Sequence, residues 1–306
     1  MLRVIARRMA VAIPTMIVII CLSFAIIKFA PGGPFDQETD LDPEILANLE
    51  AAYHLDKPIG TQFLLYAGNL ARGNLGESFV FLDRDVSDII AQGFPVTATI
   101  GLLAISIGIV FGVGLGTLAA LRKNSAADYG VMSLAMTGIA IPTFVTAPTM
   151  ALVFGLYLGV LPISGWNGGH PANLVLPVIA LALPKIGVIS RITRGGMLDV
   201  LRANYVRTAR SKGLPERKVI WRHALRTGLT PLVSYLGPAI AGVMTGSVVI
   251  ETIFSLPGIG RSFAAAAVGR DYPVIMGITI LYAGFIMLMN LLVDIAYHYL
   301  DPRVDG

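Results

Sequence analysis

Charged residues are scarce in this sequence. Asp, Glu, Lys and Arg make up 14% of its 306 residues, against about 25% in an ordinary soluble domain. Much of the surface therefore faces something other than water. Cysteine is nearly absent: Cys21 stands alone inside an apolar run, which excludes an internal disulfide and a cysteine-rich metal site and reads as a small core residue. The four histidines, His54, His170, His223 and His298, are scattered, and no spacing joins them into a metal site. There is no G-x-x-x-x-G-K-[ST] phosphate loop, no H-E-x-x-H and no G-x-S-x-G. Nothing here points to ATP binding by the chain itself or to an intramembrane hydrolase.

What the sequence has in abundance is apolar residues, 55% of the chain with a mean hydropathy of +0.73. Six runs approach the ~20 residues needed to span a bilayer: 9–30, 97–121, 131–161, 172–190, 229–250 and 274–299. The third is long and carries Pro142 and Pro148, so a bend or tilt is expected. The fourth is short, with Pro177, Pro184 and Lys185 inside it. The first begins with Arg3, Arg7 and Arg8, but its apolar stretch exceeds that of a cleaved leader and ends in Ala30-Pro31-Gly32-Gly33-Pro34 without a small-x-small site. It reads as a retained helix.

Basic residues orient the spans. Arg3, Arg7 and Arg8 place the N-terminus inside. The following segment, 31–95, holds eleven acidic residues against Lys57, Arg72 and Arg84, and lies outside. Arg122 and Lys123 mark an inner turn. Residues 162–171 carry no Lys or Arg and lie outside. Residues 191–228 carry ten basic residues and lie inside, residues 251–273 lie outside, and the C-terminus lies inside. The pI near 9.2 is thus a matter of topology rather than of nucleic-acid binding. The expected architecture is an all-α membrane protein: an N-terminal span (1–30), an external helical segment (31–96) and a five-helix core (97–306) containing the basic loop 191–228. In the external segment, Asp42-Pro43 and Asp85 read as helix starts. Its acidity either attracts a basic partner or reflects only the freedom of acids to accumulate outside.

Small residues recur at four-residue spacing: Gly108, Gly112 and Gly116 in the second span, Gly237, Ala241, Gly242 and Gly246 in the fifth. Such ridges allow close helix approach, either within this chain or against a second membrane subunit. Lys28, Lys185 and Asp294 are intramembrane charges. Lys28 can snorkel outward. Lys185 and Asp294 read as structural charges that pair or snorkel, with a proton relay as the functional alternative.

The basic loop carries the most information. Residues 204–212 read as a short helix closed by Gly213, and Pro215 opens a second helix to 226. Thr208 and Ala209 offer a small-residue face ringed by arginine. Arg207-Thr208-Ala209-Arg210-Ser211-Lys212-Gly213-Leu214, with Arg222-His223-Ala224-Leu225-Arg226, resembles the EAA loop of bacterial importer permeases of the ATP-binding cassette (ABC) class, specifically their oligopeptide/dipeptide/nickel branch. Arg207 stands where the wider class has an acid, and Arg226 replaces its usual proline. Ala30–Pro34 and the stretch from Gly246 to Gly260, followed by Arg270-Asp271-Tyr272, are similar to that branch too. The resemblance spans essentially the whole chain and is nearest to the B-type membrane subunits of oligopeptide permeases.

The resemblance implies a type I importer permease in a bacterial inner membrane, without catalysis of its own. It would pair with a homologous second permease, dock two cytoplasmic ATPases that hold ATP and magnesium, and receive peptide from an external binding protein. The coupling loop would comprise Arg207, Thr208, Ala209, Arg210, Lys212, Gly213, Leu214, Arg222 and His223. Glu251, Pro257, Gly258 and Gly260 would form the outer mouth of the pathway. The same architecture could carry dipeptides, nickel, glutathione or another small solute, and an ion-gradient-driven transporter is the reading from another class.

Overall fold

The computed structural model describes residues 2–29, 33, 43–81 and 83–300. Apart from one antiparallel bridge between Glu77 and Asp85, these residues form helices and connecting loops. The helices are α1 (Leu2–Phe29), α2 (Pro43–Ala52), α3 (Ile59–Ala71), α4 (Val86–Leu121), α5 (Ala126–Ala140) and α6 (Thr143–Met150), which continues as a π-helical turn over Ala151–Tyr157. Then come α7 (Pro171–Leu201), α8 (Asn204–Ser211), α9 (Glu216–Lys218), a π-helical stretch Val219–Ala224 and α10 (Leu225–Gly228). The last described helices are α11 (Thr230–Gly246), α12 (Val248–Ile253), α13 (Ile259–Gly269) and α14 (Tyr272–Leu300).

Five helical segments are long and apolar enough to cross a membrane, and a sixth span exists if the bent pair α5–α6 counts as one. That pair turns through 98° between Ala140 and Thr143. The cause is local: Ile141 precedes Pro142 and is extended, with φ −84° and ψ 117°, as steric conflict with the proline ring requires. The bend expected from the prolines is therefore a sharp break. By contrast, α7 passes Pro177 and Pro184 as one helix, and extends eleven residues beyond the expected end at 190. Similarly, α4 runs unbroken from Val86 across the expected 96/97 boundary. The predicted start at Asp42 lies outside the described residues. Asp85 does occupy the N-cap position of α4, but without a side-chain cap bond.

The glycine ridge of α4 faces α7. A Cβ built on Gly112 would lie 2.7 Å from the Cβ of Ile189, and one on Gly116 would meet the backbone of Ser190. This ridge packs within the chain. In α11, Gly237 abuts Val293 of α14, whereas Gly242 is exposed. The central core joins Ile100 and Ala104 of α4 to Leu176 and Ala180 of α7 and to Ile250, Phe254 and Leu256. Outside this core, α1 exposes Val11, Ile13, Ile17, Val18, Leu22 and Ile26, the surface expected of a lipid-facing span. Cys21 lies on this exposed helix and is not a core residue.

Two charge clusters fix the frame. Asp128, buried in the first turn of α5, accepts two hydrogen bonds from Arg194 of α7 at 2.6 and 2.7 Å and one from Asn124 N at 2.9 Å. Asp271, buried before α14, accepts from Ser78 Oγ, from Phe79 N at 3.2 Å and from Val80 N at 3.4 Å, and so ties the segment before α4 to α14.

Candidate coupling elbow and outer latch

α8 exists because Val206 and Ala209, one turn apart, bury against Val219 with Leu214 and Val200 packed alongside. The helix stops where expected. Lys212 N donates to Thr208 O at 3.0 Å, Gly213 N donates to Arg210 O at 2.9 Å, and Gly213 takes φ +74°, a conformation that costs glycine least. Pro215 then leads into α9, and the helical run continues through the π-helical stretch to α10. The second helix of the elbow is thus present, longer than expected, with its middle turns widened.

Across the turn, Arg210 grips Glu216 through two hydrogen bonds, of 2.5 Å from Nη2 and 3.2 Å from Nε. These bonds hold the Glu216 carboxyl below the usual carboxylate range. Arg207, Thr208, Lys212 and Arg222 are exposed, and Leu214 and His223 are half-buried. Ala209 corrects one expectation. It is 6% exposed and belongs to the interior of the elbow, not to its exposed surface. Thr208 remains on the open side, its hydroxyl bonded to Asn204 O of its own helix at 3.0 Å.

At the other end of the core, Glu251 corrects a second expectation. It is fully buried and lines no open mouth in this chain. Its Oε1 accepts from Thr97 Oγ1 and Ser247 Oγ, both at 2.7 Å, and its Oε2 accepts from Arg261 N at 3.0 Å. Thr97 Oγ1 in turn accepts from Ile259 N at 3.0 Å. One carboxylate therefore latches α4, α12 and the start of α13 together. The latch explains the glycines. A Cβ on Gly258 would lie 2.5 Å from Glu251 Cδ and 2.7 Å from Thr97 Oγ1, and one on Gly260 would lie 2.9 Å from Glu251 Oε2. Pro257 sits exposed at the turn.

The intramembrane charges also resolve. Asp294 pairs with Arg8 of α1, with Nη2 to Oδ1 at 2.7 Å, and not with Lys185. Lys28 sets its ammonium 5.9 Å from the ring centroids of Phe24 and Tyr272, a cation–π arrangement. Among the described residues, no group of three or more His, Cys, Asp or Glu side chains could hold a metal.

Sequence reasoning missed three contacts: Arg210–Glu216, Arg194–Asp128 and the Asp271 anchor. One left a legible signal, since Ser125-x-x-Asp128 has the spacing of a capping pair, and Ser125 Oγ accepts from Asp128 N at 3.3 Å.

Comparison with known proteins places this arrangement. Residues 112–306 match the family described as binding-protein-dependent transport system inner membrane component. The chain is 48% identical to the oligopeptide transport system permease protein OppB of Escherichia coli K12 over 304 residues, which is 99% of each chain. It is 41% identical to the dipeptide transport system permease protein DppB of Bacillus subtilis, over 99% of this chain and 98% of that one. Among solved structures, the inward-facing MetNI methionine ABC transporter aligns with a TM-score of 0.59 at 15% identity, covering 70% of this chain and 96% of its own. That likeness speaks for the fold alone. With its apolar spans, its basic elbow and these full-length relatives, the chain belongs to the binding-protein-dependent transport system inner membrane component family.

Proposed function

We propose that this chain is a permease subunit of an ATP-driven importer of oligopeptides. The observation that carries the reading is the full-length similarity to an oligopeptide permease, together with a built elbow at the basic loop. Both termini lie in the cytoplasm, and residues 31–95 lie outside, as the loop charges require. The pathway forms between this chain and a homologous second permease. Two cytoplasmic ATPases, which hold ATP and magnesium, grip the α8 elbow, and an external binding protein delivers peptide. ATP favours the closed ATPase pair, so its binding shifts the permeases from inward-facing to outward-facing, and hydrolysis resets them. This chain's own residues carry motion and form the path; none performs covalent chemistry. Dipeptide import by the same architecture is the second reading, favoured by the Bacillus subtilis relative.

The test is co-purification. Tagged chain extracted gently from its own membrane is expected to bring down a second permease and ATPase subunits. Recovery of the chain alone, or with copies of itself only, would contradict the assignment.

A further inference from the structure

A groove of about 860 Å³ runs between α4, α11 and the second helix of the elbow. It is lined by α4 from Ile109 to Leu121, by Leu232 and Leu236 of α11, and by Ile220 and Leu225 of the elbow. Apart from Thr117 and Arg217, its lining residues are apolar, aromatic or glycine. Val110 and Leu118 of its α4 wall are exposed, so the groove is open along its length. Val219 of the same elbow helix buries against α8, whereas Ile220 and Trp221 turn to the groove.

One end of the groove is basic. Arg217 and Trp221 line it there, and a second, adjoining hollow is formed by Pro215, Arg217, Lys218, Trp221 and Arg222. Arg217, Lys218 and Arg222 are exposed and take part in none of the ion pairs among the described residues. Lys218 and Arg222 stand four residues apart with like charge, a repulsion that an anion between them relieves. Trp221 is 67% exposed beside them, as befits a ring at headgroup depth.

The dimensions match one leaflet. The α4 wall covers twelve residue steps from Ile109 to Leu121, about 18 Å at ~1.5 Å per residue. Half of a ~30 Å hydrocarbon layer is about 15 Å. Arg122 and Lys123 follow Leu121 directly, at the same end as the basic mouth. An apolar slot of this depth, closed by cations and a tryptophan at the cytoplasmic boundary, complements a phosphate carrying an acyl chain. A soluble anion would leave the slot unfilled, and a partner helix would need acids to answer the rim.

We infer that this groove binds a phospholipid of the cytoplasmic leaflet, with an acyl chain along α4 and α11 and an anionic headgroup held by Arg217, Lys218 and Arg222. The inference rests on the inward placement of residues 191–228 proposed above. Because the elbow's second helix forms one wall, a bound lipid braces the elbow against two membrane spans.

The test is photolabelling of the complete complex in proteoliposomes. The probes are phosphatidylglycerol and phosphatidylcholine bearing a photoactivatable acyl chain, with labelled residues mapped by mass spectrometry. Phosphatidylglycerol is expected to label the stretch from Ile109 to Leu121 about tenfold more than phosphatidylcholine does. The triple variant Arg217→Gln, Lys218→Gln, Arg222→Gln should bring the two lipids level. Gly114→Phe fills the groove without a clash, since nothing lies within 4 Å of an added Cβ, and should abolish labelling there by both. Labelling of the exposed face of α1 should stay unchanged in every variant, which reports intact insertion. Equal labelling by the two lipids in the unsubstituted complex overturns the inference. So does labelling of α1 with none in the groove, which would mean that a second permease covers it. Loss of the preference in excess inorganic phosphate would make the ligand a soluble anion instead. Thiol labelling of Glu216→Cys reports the leaflet separately, so a wrong orientation and a missing lipid site are told apart.

Discussion

Arg210 and Glu216 close the elbow from opposite sides of Gly213, with their two hydrogen bonds spanning the turn between α8 and α9. The pair is exposed at both ends, so its net worth is at most about 1 kcal/mol. Because Glu216 titrates below its ordinary range when folded, the pair's contribution is present at neutral pH and above. It is lost as pH falls through the lowered folded value. A double-mutant cycle of Arg210→Ala and Glu216→Ala on ATPase affinity is expected to show a small coupling at pH 7 that disappears in acid. A coupling that grows on acidification would contradict the assigned pair.

The backbone at Gly213 matters more than the ion pair. At φ +74° a β-branched side chain is strained, by at least ~1–2 kcal/mol. No neighbour lies within 4 Å of an added Cβ, so the effect is conformational and not steric crowding. Gly213→Val is expected to insert normally but to retain less ATPase on purification, with Gly213→Ala intermediate.

Ala209 and Thr208 separate the buried interior of the elbow from its exposed face. Ala209→Trp overpacks the small core around Val206 and Val219, at a cost of about 1–3 kcal/mol, and should lower the thermal stability of the solubilised chain. Thr208→Trp projects from the exposed side. It should leave stability unchanged and reduce ATPase co-purification. If Thr208→Trp binds ATPase as the unsubstituted chain does, the α8 face is not the contact.

Glu251 is a structural latch, so its replacement should be felt in stability as well as transport. In Glu251→Gln, an amide donor replaces one acceptor among three donors, leaving a buried group unsatisfied at about 1–3 kcal/mol. Gly258→Ala should be at least as harmful, because its Cβ collides with the same carboxylate. Both variants are expected to melt several degrees early in a thermal size-exclusion assay. Normal melting with lost uptake would restore the mouth role that burial argues against.

Orientation is tested by thiol labelling. With Cys21 replaced by Ser, single cysteines at Asn74 and Asn167 should react with an impermeant reagent added outside, and those at Lys123 and Glu216 should not. Labelling of Glu216→Cys from outside would reverse the topology.

Much of this was legible in the sequence. The apolar runs, the loop charges and the helix–Gly213–helix elbow follow from period, charge and backbone chemistry that act locally. Elements set by tertiary context were harder to read. Nothing around Ile141 and Pro142 reveals whether the proline bends a span gently or breaks it through 98°. Pro184 has the same chemistry and leaves α7 whole. The extension of α7 to Leu201 lay hidden behind basic residues, which signal a cytoplasmic position but permit helix. Ala209 and Glu251 were read by residue type: small for docking, charged for a mouth. Only packing shows that the first fills a core and the second is enclosed by Thr97, Ser247 and the Gly258 turn.

As proposed above, this chain moves peptide by coupling to ATP hydrolysed on partner subunits. Uptake of a labelled tripeptide into sealed proteoliposomes, with the complex oriented so that ATP is supplied on the elbow side, tests it directly. Accumulation is expected with ATP, magnesium and the ATPase partners together, and with no ion gradient imposed. It should disappear when the ATPases are omitted. Accumulation driven by a proton or sodium gradient without them would make the chain a secondary transporter instead.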